Sequence, residues 1–182
     1  AIDPTPAAGT FTARAGLCLV SRVLRSLGLP AFADAHVHFK KRQRGITAGQ
    51  HVETLVLLNA AGGDRMDDMQ RLREDPGVEK MLGYEAPSPT AVRTFLEAFH
   101  DPEAVERARG QSQAQGRLSF IPDENGPLAG LGQAQGELVR TIAARLPEPP
   151  IRATVDQDAT IVESHKREAT VAYEGTKGYQ PM

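Results

Sequence analysis

The chain has 182 residues, a formal net charge of −2, 40% hydrophobic and 24% charged side chains, and one cysteine, Cys18. These are globular proportions, enough for one good-sized domain or two small ones, and the overall charge excludes nucleic-acid binding through a bulk positive field, leaving only local basic patches for that role. A lone cysteine excludes an internal disulfide framework and fits a reducing cytosol, while no stretch approaches the roughly 18 apolar residues of a membrane span.

Aromatic residues are sparse at 5%, with no Trp, which predicts an aliphatic interior. Residues 1–14 are rich in Pro, Ala, Gly and Thr. They lack an initiator Met and the apolar run of a signal peptide, and are expected to be a flexible N-terminus of a cytoplasmic protein. Leu17, Val20, Leu24 and Leu27 then recur at helical spacing, with Gly28 and Pro30 read as the stop. Cys18 sits on this apolar face and reads as a buried structural thiol. His36 and His38 precede a basic cluster, Lys40, Lys41, Arg42 and Arg44. No further His or Cys lies near them, so they read as surface or core histidines rather than metal ligands.

Thr47 looks like the cap of a helix closed by Gly62 and Gly63, on which His51 is a packing residue. Residues 64–75 read as a polar helix broken at Asp75-Pro76-Gly77. A short helix, a turn and a longer helix follow, the longer one capped by Ser88 with Pro89 in its first turn and striped by Val92, Phe95, Leu96 and Phe99. Residues 77–100 could form a helix-turn-helix with Arg93 and Thr94 facing DNA. Glu97 on the outward face weighs against this, and plain core packing is preferred. The stretch from Ala108 to Gly136 is low in apolar residues and reads as a mobile connection whose latter part joins the next helix, "ELVRTIAARL". The prolines at 147, 149 and 150 end that helix and form a hinge, 147–150.

Past the hinge the pattern becomes strand-like. Arg152, Thr154, Asp156, Asp158, Thr160 and Val162 share one face, with Ile151, Ala153, Val155, Gln157, Ala159 and Ile161 on the other. Two carboxylates at i and i+2 repel, and Asp is a poor strand former, so a compensating cation is expected. Oxygen ligands suit Mg²⁺ or Mn²⁺. A solvent-facing strand edge accounts for the pair equally well. "DQDAT" also satisfies the Asp-x-Asp-x-Thr pattern of phosphatases, in which Asp156 would attack phosphorus and Asp158 act as general acid/base. Such a motif opens a parallel domain needing on the order of a hundred further residues, and only 22 follow Thr160.

The segment "ATVDQDATIVESHKREATVAYEGTKGYQPM" resembles the start of the catalytic domain of bacterial insertion-sequence DDE transposases (the group-1 DDE domain). The pieces that carry the resemblance are Asp156, Asp158, Ala159 and Thr160, then Glu163 to Arg167, then Tyr173, Gly175, Lys177, Gly178, Tyr179 and Pro181. Upstream, "GLCLVSRVLRSLGLP", "VLLNAAGGDRMDDMQRLREDPGVEKMLG" and "PSPTAVRTFLEAF" are similar to the family's helical N-terminal region. The resemblance implies a mainly α N-terminal region, 15–146, with DNA-binding capacity. At 151–182 it implies a β-hairpin made of the first strands of an RNase H-like α/β domain.

It further implies a metal-dependent transposase that cuts and joins DNA, with Asp158, aided by Asp156, as first ligand of Mg²⁺ or Mn²⁺. The later catalytic Asp and Glu are missing, so a partial, inactive chain is expected, or a non-catalytic DNA-binding remnant. The expected partner is DNA at the element ends, with no membrane partner and a homodimer as an admissible assembly. Phosphate contact is expected from Lys40, Lys41, Arg42 and Arg44, from Lys166 and Arg167 in the turn between the two strands, and from Lys177 at the next turn. A solvated turn or loop is the competing reading for each. His165, beside the strand end, reads as a turn residue.

Overall fold

The computed structural model describes residues 12–42, 44–116, 120–148, 152, 154, 162–163, 170–171 and 177–179. Eight α-helices account for most of them: α1 (Leu17–Ser26), α2 (Leu29–His36), α3 (Ala48–Ala60), α4 (Met69–Arg73), α5 (Pro76–Leu82), α6 (Pro89–Glu97), α7 (Pro102–Ala114) and α8 (Gly126–Ala143). A single 3-10 turn, Met66–Asp68, leads into α4. The polar helix expected over 64–75 is therefore shorter and starts tighter than its composition suggests.

The helix starts follow side-chain chemistry. Thr47 and Gln50 form a reciprocal capping box at α3. The Asp75 carboxylate accepts from the Gly77 and Val78 N–H groups at α5, with Pro76 in the first turn. Ser88 and Pro89 do the same for α6. Asp101 caps α7 and Asn125 caps α8, so the stretch expected to be a mobile connection is largely helical. Pro30 also reverses its expected role. Gly28 turns the chain at φ 82°, and Pro30 then sits in the first turn of α2, where its missing N–H costs nothing.

Two glycine notches clasp α2. A Cβ at Gly49 of α3 would collide with the Pro30 carbonyl, and one at Gly130 of α8 would collide with the His36 carbonyl. Bare backbone at these positions lets three helices meet at closer range than side chains allow, sealing Ala33 completely. The main core gathers Leu17, Leu57, Leu58, Met69, Leu72, Val78, Leu82, Ala86 and Val92 from α1, α3 to α6 and the link before α6. It is aliphatic, as composition predicts. Cys18 is only partly buried, because Leu17 and Ser21 take the inward face of α1.

A second cluster departs from the aliphatic expectation. Val37, Ala48 and Phe95 pack with Phe39, Phe99 and Leu131, bringing three of the chain's six phenylalanines together.

At the C-terminal end, β1 (Val162–Glu163), β2 (Thr170–Val171) and β3 (Lys177–Tyr179) form an antiparallel sheet in the order β1-β3-β2. Glu163 and Thr170 both face Gly178 from opposite sides. The expected hairpin between the first two strands is thus replaced by a sheet in which the third strand pairs with both. Two-stranded ribbons are marginal, and a shared central strand supplies two ladders. Lys177 accordingly lies on a strand, not in a turn.

Candidate nucleic-acid interface

Residues 37–47 link α2 to α3 and carry the basic cluster. The loop is braced by one of its own cations. Lys40 Nζ donates to the carbonyls of Arg44, at 3.0 Å, and Ile46, while lying 4.7 Å from the Phe39 ring. Lys40 is therefore spent on loop geometry rather than held free for phosphate. Lys41, Arg42 and Arg44 are exposed, and none makes a side-chain ion pair or hydrogen bond among the described residues. Three uncompensated cations in four positions set up a local positive field on a molecule of slightly negative net charge.

Under the loop lies a cleft of about 230 Å³ bordered by Asp34, His38, Phe39, Lys40, Arg44 and Thr47. It is smaller than the usual small-molecule pocket. Its anion-binding potential is also taken up internally. Asp34 Oδ1 accepts from the Gly49 N–H at 2.6 Å and Oδ2 from the Thr47 hydroxyl at 3.1 Å, so the N-terminus of α3 already holds a carboxylate. The cleft is the inner side of the loop; Arg44 borders it, whereas Lys41 and Arg42 do not.

The loop's base is fixed by His51, which is 2% exposed. Its ring stacks on Phe95 of α6 at 4.6 Å and meets Phe39 edge-on at 5.3 Å, while Phe39 and Phe95 touch at 4.8 Å. Nδ1 lies 2.7 Å from the Thr47 carbonyl, which makes Nδ1 the protonated nitrogen, and Nε2 has no hydrogen-bond partner among the described residues. Burial pushes the imidazole below its ordinary pKa, and the Lys40 charge adds to this against weaker support from the Thr47 and Ala91 backbone. His51 is thus a neutral packing residue that ties loop to α6.

Sequence reasoning missed the other charged cluster. Glu53, 2% exposed, accepts from Ser21 Oγ at 2.6 Å, Arg25 Nε at 2.7 Å and Tyr84 OH at 2.8 Å, and Arg25 Nη2 also donates to the Leu82 carbonyl at 2.7 Å. The hydrogen bond to Glu53 holds the guanidinium above its usual pKa, and burial followed by the Glu53 bond raises the Tyr84 phenol. Perturbed groups cluster at active sites, but this set lies outside the cleft under the basic loop and its donors are matched to acceptors. It is a clasp joining α1, α3 and the α5–α6 link. The available signal was Glu53 standing alone in the apolar run "HVETLVLL".

Of the remaining expected residues, Arg93 and Thr94 are exposed on α6, whose inward face buries Val92 and Phe95. Core packing and an open outer face coexist on one helix. Lys177 is exposed on β3. Asp156, Asp158, His165, Lys166 and Arg167 lie outside the described residues. No group of three or more His, Cys, Asp or Glu that could hold a metal occurs among the described residues, and no described helix is long and apolar enough to cross a membrane. Comparison with protein-family models, with curated proteins and with solved structures finds no match to this chain.

Proposed function

We propose that this chain is the DNA-engaging N-terminal portion of an insertion-sequence transposase, with a helical region that grips duplex DNA and then the opening strands of an RNase H-like domain. The observation that carries the reading is the exposed cluster Lys41, Arg42 and Arg44, which has no ion pair among the described residues. Several other arginines are matched to carboxylates, Arg14 to Asp75, Arg25 to Glu53, Arg73 to Glu85 and Arg109 to Glu106, and others without an ion pair among the described residues, such as Arg22, Arg65 and Arg93, stand singly rather than in a cluster. A loop that gathers three such cations in four positions has a polyanion as its natural partner. The motif from Asp156 to Pro181 supports the same family independently.

In this reading Asp158 and Asp156 would hold Mg²⁺ or Mn²⁺, an all-oxygen donor pair of the kind hard cations prefer, and the metal would activate a water or 3′-hydroxyl for phosphodiester transfer. The carboxylates that complete such a site are not among those described, and catalysis is not proposed for these 182 residues by themselves. Self-association has an apolar surface available to it. Leu19 and Val23 on α1 and Val139, Ile142 and Leu146 at the end of α8 are all exposed, and Arg145 joins the two helices by donating to Ser26.

The test is a mobility-shift titration with duplexes from insertion-sequence termini against unrelated duplexes of equal length. Retention of both, with preference for termini, is expected. Failure to shift any duplex contradicts the reading, and hydrolysis of p-nitrophenyl phosphate abolished by Asp156→Asn would replace it with the phosphatase one.

A further inference from the structure

The aromatic cluster connects two surfaces that the sequence keeps about fifty residues apart. Phe39 is the residue before Lys40, and Phe95 directly follows Thr94. Their ring contact at 4.8 Å places the base of the basic loop beside α6, within about one helix diameter, roughly 10 Å. Around α6, helical geometry at about 100° per residue sets the order of the faces. Val92 turns to the aliphatic core and Phe95 to the aromatic cluster. Continuing past Phe95, away from Val92, the next outward positions are Thr94 and Thr90, then Glu97 and Arg93, all exposed. The flank of α6 nearest the loop is therefore a pair of neutral hydroxyls, followed around the helix by Glu97 and then Arg93.

We propose that Lys41, Arg42 and Arg44 of the loop and the outer face of α6, Thr90, Thr94 and Arg93, form one continuous duplex-DNA surface whose halves are held in register by the Phe39–His51–Phe95 stack. The inference rests on the DNA-binding reading and deepens it by assigning the docking element. A major groove about 12 Å wide admits a helix, and a cationic loop roughly 10 Å to its side meets the flanking phosphate strand. Hydroxyls and one arginine suit base edges and sugar–phosphate contacts, whereas the loop's cations suit phosphates. Duplex is favoured over single strand because, among the described residues, no exposed Phe or Tyr lies on this face to serve as a stacking platform. The acids at the surface are Asp34, engaged at the α3 N-terminus, and Glu97, which lies on the α6 face itself, between Thr90 and Arg93 around the helix.

Fluorescence anisotropy with a labelled duplex tests this in the full chain. Lys41→Glu with Arg42→Glu should lower affinity at least tenfold and flatten the salt dependence. Thr94→Glu, on an exposed helical position, should also lower affinity roughly tenfold with unchanged far-UV circular dichroism. Phe39→Ala should weaken binding while keeping the salt slope, because it deletes no phosphate contact and only adds the cost of ordering the loop on DNA. A wild-type chain that binds duplex through the loop while Thr94→Glu and Arg93→Glu bind normally overturns the composite surface and leaves the DNA-binding reading standing. Tighter binding to the matching single strand overturns it as well. A wild-type chain that binds no DNA overturns both.

Discussion

Arginine plays opposite parts at the two ends of the α1–α3 unit. At the Glu53 clasp, Arg25 is folded onto a buried carboxylate, with Ser21 and Tyr84 supplying the remaining donors. In the loop before α3, Lys41, Arg42 and Arg44 have no acid to meet among the described residues, and the single internal bond-maker, Lys40, serves the loop's shape. Residue type does not separate these regions. What separates them is whether the fold supplies a desolvated acid: where it does, the cation is structural, and where it does not, the cation is left for a partner.

That contrast can be broken by exchanging the effects. Arg25→Ala strips a carboxylate that is 2% exposed of its ion partner, while Arg25 itself is 43% exposed. Because Arg25 is partly solvent-screened and Ser21 and Tyr84 still donate to Glu53, the expected loss is about 1–3 kcal/mol by urea unfolding, with duplex affinity unchanged in the folded fraction. Gly130→Ala should cost about 1–3 kcal/mol or more, since its Cβ has no room against the His36 backbone and α8 must move off α2. Thermal denaturation reads this, and an unaltered Tm would contradict the notch.

Acidification sharpens the comparison. A His held below its ordinary pKa in the fold leaves the unfolded chain binding more protons, so the stabilisation is full above about pH 6.5 and falls away as the pH drops below it. The groups facing His51 are the Thr47 carbonyl on its own helix, Phe39 and Lys40 from the loop, and Phe95 and the Ala91 backbone from α6. Unfolding stability measured between about pH 7 and about pH 5 should therefore decline, and His51→Phe should remove that step. A second decline is expected at lower pH from Asp75. Burial alone would raise its pKa, but bonds from Thr12, the Val78 N–H, Arg14 and the Gly77 N–H outweigh this and hold it below the usual carboxylate range. The smallest effect belongs to the loop: Lys41→Gln and Arg42→Gln should change stability by no more than about 0.5 kcal/mol.

Caps were the most legible part of the fold. Thr47 and the pair Ser88–Pro89 carry their chemistry in adjacent letters, whereas Asp75-Pro76-Gly77 reads as a break and is in fact the capped start of α5. The second and seventh helices were harder to see. Pro30 is a stop signal when read from the helix before it and a start signal when read from the one after it. α7 is polar nearly all round, burying little beyond Ala104 and Ser112, and its support is local: the Asp101 cap and the pairs Glu103–Arg107 and Glu106–Arg109. The glycines of α8 read as loop because a periodic pattern cannot show that the backbone of α2 lies against one of them. At the candidate interface, "KKRQR" announced the cluster, but its internal division did not show, because Lys40's partners are carbonyls. Nothing in the spacing of Phe39, His51 and Phe95 brings them together; that is a property of the packed helices.

The most direct test of the account is the salt dependence of duplex affinity for the full chain and for a Lys41→Gln, Arg42→Gln, Arg44→Gln variant of equal stability. If these three side chains neutralise phosphates, the wild-type slope of log K against log salt is about −3 or steeper and the variant's is shallower by nearly that amount. Equal slopes for the two proteins, or an affinity indifferent to salt, would contradict it.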